Sequence, residues 1–92
     1  MDPFTTAASR IIKEQQSIIG PLAVDQARKV PGLVVQSGDD VKITGNGKEV
    51  LTNLINQYAK FFGQASIEVC KEAIEPLKDK FNAGDVPDIL KN

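Results

Sequence analysis

The chain of 92 residues is 41% hydrophobic and 25% charged, and its 11 basic and 12 acidic side chains leave a formal net charge of −1. These values predict one small soluble globular domain that buries roughly 60–65% of the surface of its unfolded chain, and they exclude the strong positive field of a typical nucleic-acid or membrane-surface binder. No apolar run reaches the ~18 residues of a membrane span, and the start lacks a signal sequence. A single cysteine excludes an internal disulfide. We therefore expect a cytoplasmic protein.

The first five residues allow two interpretations. Asp2 is a suitable helix N-cap, and Pro3 suits the first helical position, where a missing N–H costs nothing. Alternatively, residues 1–5 are a vector-derived or disordered start without a structural role, and we favour this interpretation. We therefore assign a single small domain to residues 6–92.

Residues 6–30 have the spacing of a helix with one broad apolar face, which Pro31 and Gly32 end. Gly20 and Pro21 interrupt it, because a proline inside a helix removes one hydrogen bond and clashes with the preceding turn. An unbroken helix of this length would reach ~37 Å at ~1.5 Å per residue. The stretch therefore either breaks and folds back, or overhangs the domain and needs a second chain to cover it.

The next segment predicts a β-hairpin, with strands at 33–36 and 41–44 and a turn at 37–40. Two strands alone are marginally stable, so they must lie on the helices or pair with strands of another copy. Asp39 and Asp40, with Asn46 further on, lack the ligand spacing of a calcium loop, and we interpret them as turn residues.

Asn46 and Glu49 have the spacing of a capping box at the start of a helix. The preceding glycines also suit an anion site at a helix N-terminus. Glu49 stands where a phosphate loop needs serine or threonine, and Val50 stands where a dinucleotide fingerprint needs glycine. We therefore favour the cap.

The remaining chain predicts two helices that meet at Gly63, a residue suited to positive φ. The expected buried positions of the first are Val50, Leu51, Leu54, Ile55, Tyr58, Phe61 and Phe62. The expected stripe of the second is Ile67, Cys70, Ile74, Leu77 and Phe81. Pro76 predicts a kink or a fresh start in this second helix, and residues 85–90 predict either one helical turn or a loose tail.

These patterns predict a mostly helical α+β fold. It comprises a long N-terminal helix kinked or broken at Gly20 and Pro21, a short β-hairpin, and an antiparallel helix pair with a corner at Gly63.

The residue types argue against catalysis. The chain contains no histidine, the commonest general base and metal ligand, and its acidic residues are scattered over solvated faces. Cys70 lies on the apolar stripe, where a buried inert thiol is the expected state. We predict no enzyme, no catalytic residue, no metal site and no cofactor.

The leading functional hypothesis is a protein-interaction or regulatory module that forms a homodimer or binds another protein, with neither nucleic acid nor membrane as a partner. This hypothesis is based on the large amount of apolar helix surface in a short chain. The predicted interface lies on the first helix and comprises Ile11, Ile12, Ile18, Ile19 and Leu22.

Two other hypotheses remain open. The alternative to self-association is a carrier or sensor that holds a small apolar ligand between its helices. The predicted walls of that pocket are Tyr58, Phe61, Phe62 and Cys70. A weak nucleic-acid binder would use Arg10, Lys13, Arg28 and Lys29, but the near-neutral net charge disfavours it.

Overall fold

A computed structural model of the chain describes residues 3–81. The elements follow in the order α1 (Pro3–Ile19), α2 (Leu22–Ala27), β1 (Leu33–Ser37), β2 (Asp40–Ile43), α3 (Gly47–Phe62), α4 (Gln64–Ile74) and a 3-10 helix (Glu75–Lys80). The helices pack on one another, and a small antiparallel sheet lies against α1 and α2, which is the mostly helical α+β fold that the sequence predicts.

The first helical stretch breaks at Gly20 and Pro21. Gly20 adopts a positive φ of 69°, and Pro21 has a φ of −58° at the N-cap of α2. Because α1 and α2 contact each other, the chain folds back, and of the two alternatives the broken helix is the one observed. The described residues extend at most 31 Å, so the overhanging helix of ~37 Å is not formed.

α2 is also shorter than the sequence predicts. The helix ends at Ala27, and a tight turn in which the Val30 N–H donates to the Ala27 carbonyl replaces its last turn. The Arg28 side chain donates instead to the carbonyls of Val35 at 3.1 Å and Gln36 at 2.9 Å, so it joins α2 to the hairpin.

The beginning of α1 has a structural role. Pro3 and Thr5 are helical, and the ring of Phe4 lies edge-on to Phe81 with 5.3 Å between centroids. Phe4 also lies so close to Gly47 that a methyl group there would clash with its ring. Pro3, Phe4 and Thr5 therefore belong to α1, and Phe4 packs on the domain, which the sequence analysis did not expect of residues 1–5. The predicted tail at residues 85–90 lies outside the described residues.

The hairpin lies on the helices of the same chain. Val34 faces Lys42 and Val35 faces Val41 across the strands, with an irregular register between Val35 and Ser37. Alternation places Val41 inside and Lys42 in solvent, as predicted. β2 packs on α1, where the Ser9 hydroxyl donates to the Gly38 carbonyl at 2.5 Å.

The helices of the second half of the chain lie where predicted, but Phe61, which was expected to be buried, is 54% exposed. The side chain of Asn46 accepts a hydrogen bond from the Glu49 N–H at 2.9 Å, which confirms the cap at the start of α3. Gly63 forms the corner with φ 75° and ψ −161°. α4 ends at Ile74, and the 3-10 helix that follows carries Pro76 in its first turn, where a kink or fresh start was expected.

One hydrophobic core joins all of these elements. Its fully or almost fully buried members are Ala7, Ala8, Ile11, Ile12, Ala23, Ala27, Val30, Leu33, Val35, Val41, Val50, Leu51, Leu54, Ile55, Tyr58, Cys70, Ala73, Ile74 and Leu77. Every helix and both strands contribute to this core. Some of the residues that were predicted to form the interface or the ligand pocket are among its members.

Candidate functional site

The predicted interface on the first helix divides into two groups. Ile11 and Ile12 are 0% exposed and belong to the core of their own chain, so in this structure they present no surface to a second chain. The reason is that the N-terminal part of α1 is covered by α4 and by the hairpin. Ile18 is 64% exposed and Leu22 is 50% exposed, whereas Ile19 is half-buried.

The predicted ligand walls do not surround a common cavity. Tyr58 and Cys70 are 0% exposed and fill the core. The Tyr58 hydroxyl donates to the Ala23 carbonyl at 2.6 Å, which fixes α3 against α2. Phe61 is 54% exposed and Phe62 is half-buried, because the last turn of α3 emerges from the core. The pocket predicted from these four residues is therefore not formed.

Three exposed apolar residues lie where the helices turn. Ile18 and Leu22 flank the Gly20 corner, and Phe61 lies in the last turn of α3. The Tyr58–Ala23 hydrogen bond brings that part of α3 to the start of α2. We call Ile18, Leu22 and Phe61 the corner patch. The other exposed large hydrophobic residue of the described chain, Val34, lies on the hairpin.

An apolar groove opens beside the corner patch, between the end of α1 and the start of α4. It has a volume of about 270 Å³. Its lining consists of Gln15, Ile18, Ile19, Phe62, Ala65, Ser66 and Val69. None of these side chains carries a charge. We call it the α1–α4 groove, and of the four predicted pocket walls only Phe62 lines it.

Two polar side chains lie buried beneath this groove. Gln15 is 1% exposed and Ser66 is 4% exposed. The Gln15 Nε2 group donates to the Ser66 carbonyl at 3.2 Å and to the Cys70 Sγ atom at 3.6 Å, so it joins α1 to α4. Burial raises the pKa of the Cys70 thiol to about 11, an effect that the Gln15 hydrogen bond partly opposes. Cys70 is thus a protonated core thiol at neutral pH.

Neither Gln15 nor Ser66 was predicted as a site residue from the sequence. Gln15 lies four residues after Ile11 and three before Ile18, so it occupies an apolar position of the helical repeat. A polar residue at such a position is a signal of buried hydrogen bonding. Ser66 gives no comparable signal, because its burial depends on α1, far away in sequence.

Three of the four cations of the nucleic-acid hypothesis contact groups of their own chain. Arg10 donates to the Ala73 carbonyl at 2.8 Å, and Arg28 donates to the two hairpin carbonyls. Lys13 forms an ion pair with Asp39. Arg10 and Arg28 thus satisfy backbone carbonyls of their own chain, a structural role that accounts for these guanidinium groups.

Residues 3–81 contain no group of three or more histidine, cysteine and acidic side chains that could hold a metal ion. Within the same range, every helix is too short or too polar to cross a bilayer.

Comparison with protein families, with curated proteins and with solved structures found no match to this chain.

Proposed function

We propose that this protein is a non-enzymatic interaction module that forms a homodimer in the cytoplasm, with the corner patch at the centre of the contact. The observation that carries the proposal is that the large apolar side chains of Ile18, Leu22 and Phe61 are each at least half exposed. Burying a large apolar side chain is worth roughly 1.5–3 kcal/mol, so a partner that covers three of them gains a substantial part of a binding energy.

The composition of the patch favours a protein partner. Cores of protein interfaces are depleted in charge and enriched in aromatic and aliphatic side chains, as this corner is. The Nζ atom of Lys60 lies 5.7 Å from the centroid of the Phe61 ring and supplies a cation at the rim. A twofold axis through the patch would let both copies bury the same surface, which is the commonest geometry of soluble oligomers.

A non-enzymatic role is consistent with the chemistry available. Histidine is absent, and the thiol of Cys70 is held in its protonated form by burial. A thiolate is the nucleophilic form of cysteine, so this side chain is poorly suited to catalysis. In the cytoplasm the thiol also stays reduced.

Sedimentation equilibrium at micromolar concentration tests the proposal. The expected result is a species of twice the chain mass of 10.0 kDa, in equilibrium with the monomer. A single species at the monomer mass would overturn self-association and leave a different protein as the partner of the patch.

Matched charge substitutions test the surface. Leu22→Glu should dissociate the dimer, because a carboxylate at the contact would be desolvated without a partner. Val34→Glu is the control, since Val34 is 48% exposed and lies on the hairpin, outside the patch. If Val34→Glu dissociates the dimer while Leu22→Glu does not, the corner patch is the wrong surface.

A further inference from the structure

The floor of the α1–α4 groove contains two oxygen atoms without a hydrogen-bond partner. Among residues 3–81, neither the Ser66 Oγ atom nor the Gln15 Oε1 atom makes a hydrogen bond. The same part of the chain has no side-chain nitrogen or oxygen that is both sealed from solvent and unpartnered. Both oxygen atoms are therefore accessible to solvent, and the groove is the opening that Gln15 and Ser66 line.

This polar floor disfavours an apolar side chain of a protein partner as the occupant. A phenylalanine or leucine pressed into the groove would seal both oxygens away from water without replacing their hydrogen bonds. An occupant that carries a hydrogen-bonding group satisfies them. The groove and the corner patch thus differ in chemistry, although Ile18 belongs to both.

The walls of the groove determine the polarity, charge and size of the rest of the ligand. Ile18, Phe62 and Val69 present apolar surface, and no lining residue carries a charge. A carboxylate or an ammonium group would enter the groove without a counter-charge, which is unfavourable in an apolar site. The volume of about 270 Å³ equals that of roughly nine water molecules at ~30 Å³ each, which suits a molecule with one ring or a short aliphatic chain.

We propose that the α1–α4 groove binds a small uncharged molecule with an apolar body and a hydroxyl group. The ligand hydroxyl donates to Gln15 Oε1 and accepts from the Ser66 hydroxyl, while the body packs against Ile18, Phe62 and Val69. Gln15 is already oriented for this role, because its Nε2 group is engaged by the Ser66 carbonyl and Cys70 Sγ. This site goes beyond the proposed self-association and is complete within one chain.

Titration of the ¹⁵N-labelled protein with 4-ethylphenol, followed by amide chemical shifts, tests the site. We expect saturable shifts centred on Gln15, Ser66 and Val69. Ethylbenzene, which has the same body without the hydroxyl, should bind about three- to tenfold more weakly, since one hydrogen bond is worth a factor of this size. The 4-ethylbenzoate anion should bind more weakly still. Absence of saturable shifts with 4-ethylphenol, or equal affinity for ethylbenzene, would overturn the proposal.

Two variants identify the residues involved. Ser66→Ala should weaken 4-ethylphenol binding about three- to tenfold and leave ethylbenzene binding unchanged. Its matched control is Ser17→Ala on the exposed side of α1, which should change neither. Ala65→Leu fills the groove from an exposed rim position without disturbing the core, and it should weaken both molecules. Unchanged binding in Ser66→Ala or in Ala65→Leu would contradict the assignment.

The Leu22→Glu variant separates this site from self-association. Leu22 does not line the groove, so this variant should bind 4-ethylphenol as the wild type does, even as a monomer. A wild-type protein that binds 4-ethylphenol without forming a dimer would support the groove and refute the dimer alone. Loss of binding in a folded Leu22→Glu monomer would show that the site is incomplete within one chain and overturn the inference.

Discussion

At the scale of single residues, Cys70 shows how burial alters chemistry. The thiol is fully buried beside Gln15, and its pKa rises from 9.0 to about 11 because burial disfavours the thiolate. The pKa of Tyr58 is raised as well, first by burial and then by the nearby charge of an ionised Cys70. Both groups are therefore more readily ionised in the unfolded chain than in the folded one.

This difference predicts that the protein loses stability in alkali. The thiol keeps its full stabilising effect below pH 9.0 and loses it as the pH rises towards about 11, because the unfolded chain then holds fewer protons than the folded one. The expected loss is about 2–3 kcal/mol from Cys70. Urea unfolding at a series of pH values measures it.

Cys70→Ala provides the control for the pH series. The variant should be less stable at neutral pH, since it leaves a small cavity, but its stability should fall less steeply across this range. Parallel pH profiles for the variant and the wild type would mean that Cys70 does not titrate differently in the two states.

At the scale of elements, the Gly63 corner determines how α4 returns along α3. Its φ of 75° with ψ of −161° is a conformation that almost only glycine adopts. A Cβ atom at this position would meet no atom within 4 Å, so the cost of an alanine substitution is confined to the backbone. This makes Gly63 a clean test of conformational strain.

Gly63→Ala should therefore destabilise the protein by about 1–3 kcal/mol. That corresponds to a fall in Tm of at least several degrees for a domain of this size. The control is Gly38→Ala, which has no positive φ and whose added methyl group would meet the side chains of Gln16 at 3.2 Å and Lys13 at 3.3 Å, so it tests side-chain contact without backbone strain. Equal Tm values for Gly63→Ala and the wild type would contradict the strained corner.

The elements also show what the sequence could and could not predict. Gly63 and the Asn46 cap were predictable because both depend on local backbone geometry. The split between Ile11 in the core and Ile18 in solvent was not, because both share one apolar stripe. Only the packing of α4 and the hairpin on the first part of α1 decides which positions stay exposed.

The candidate site was less predictable than the fold for the same reason. Gln15 and Ser66 are 51 positions apart and meet only when α4 packs on α1. Tyr58 was predicted to be buried, but burial alone did not distinguish a core residue from a ligand wall. The distinction comes from its hydrogen bond to Ala23, which no local pattern contains.

At the scale of the whole molecule, the two proposed sites suit different kinds of partner. The corner patch is apolar and exposed, since Ile18 and Phe61 are both more than half accessible to solvent. The groove is concave and has a polar floor of two almost fully buried side chains. Protein partners suit the first surface and small hydroxyl-bearing molecules suit the second.

The proposed self-association predicts that Tm depends on protein concentration. If only the dimer buries the corner patch, dissociation and unfolding are linked, and Tm should rise by a few degrees for each tenfold increase in protein concentration. Leu22→Glu should remove this dependence, whereas Val34→Glu should retain it, because Val34 lies on the hairpin outside the patch. Calorimetry across two decades of concentration measures the slope. A wild-type Tm that is independent of concentration above the dissociation constant would mean that each chain reaches its full stability alone, and that the patch contributes nothing to folding.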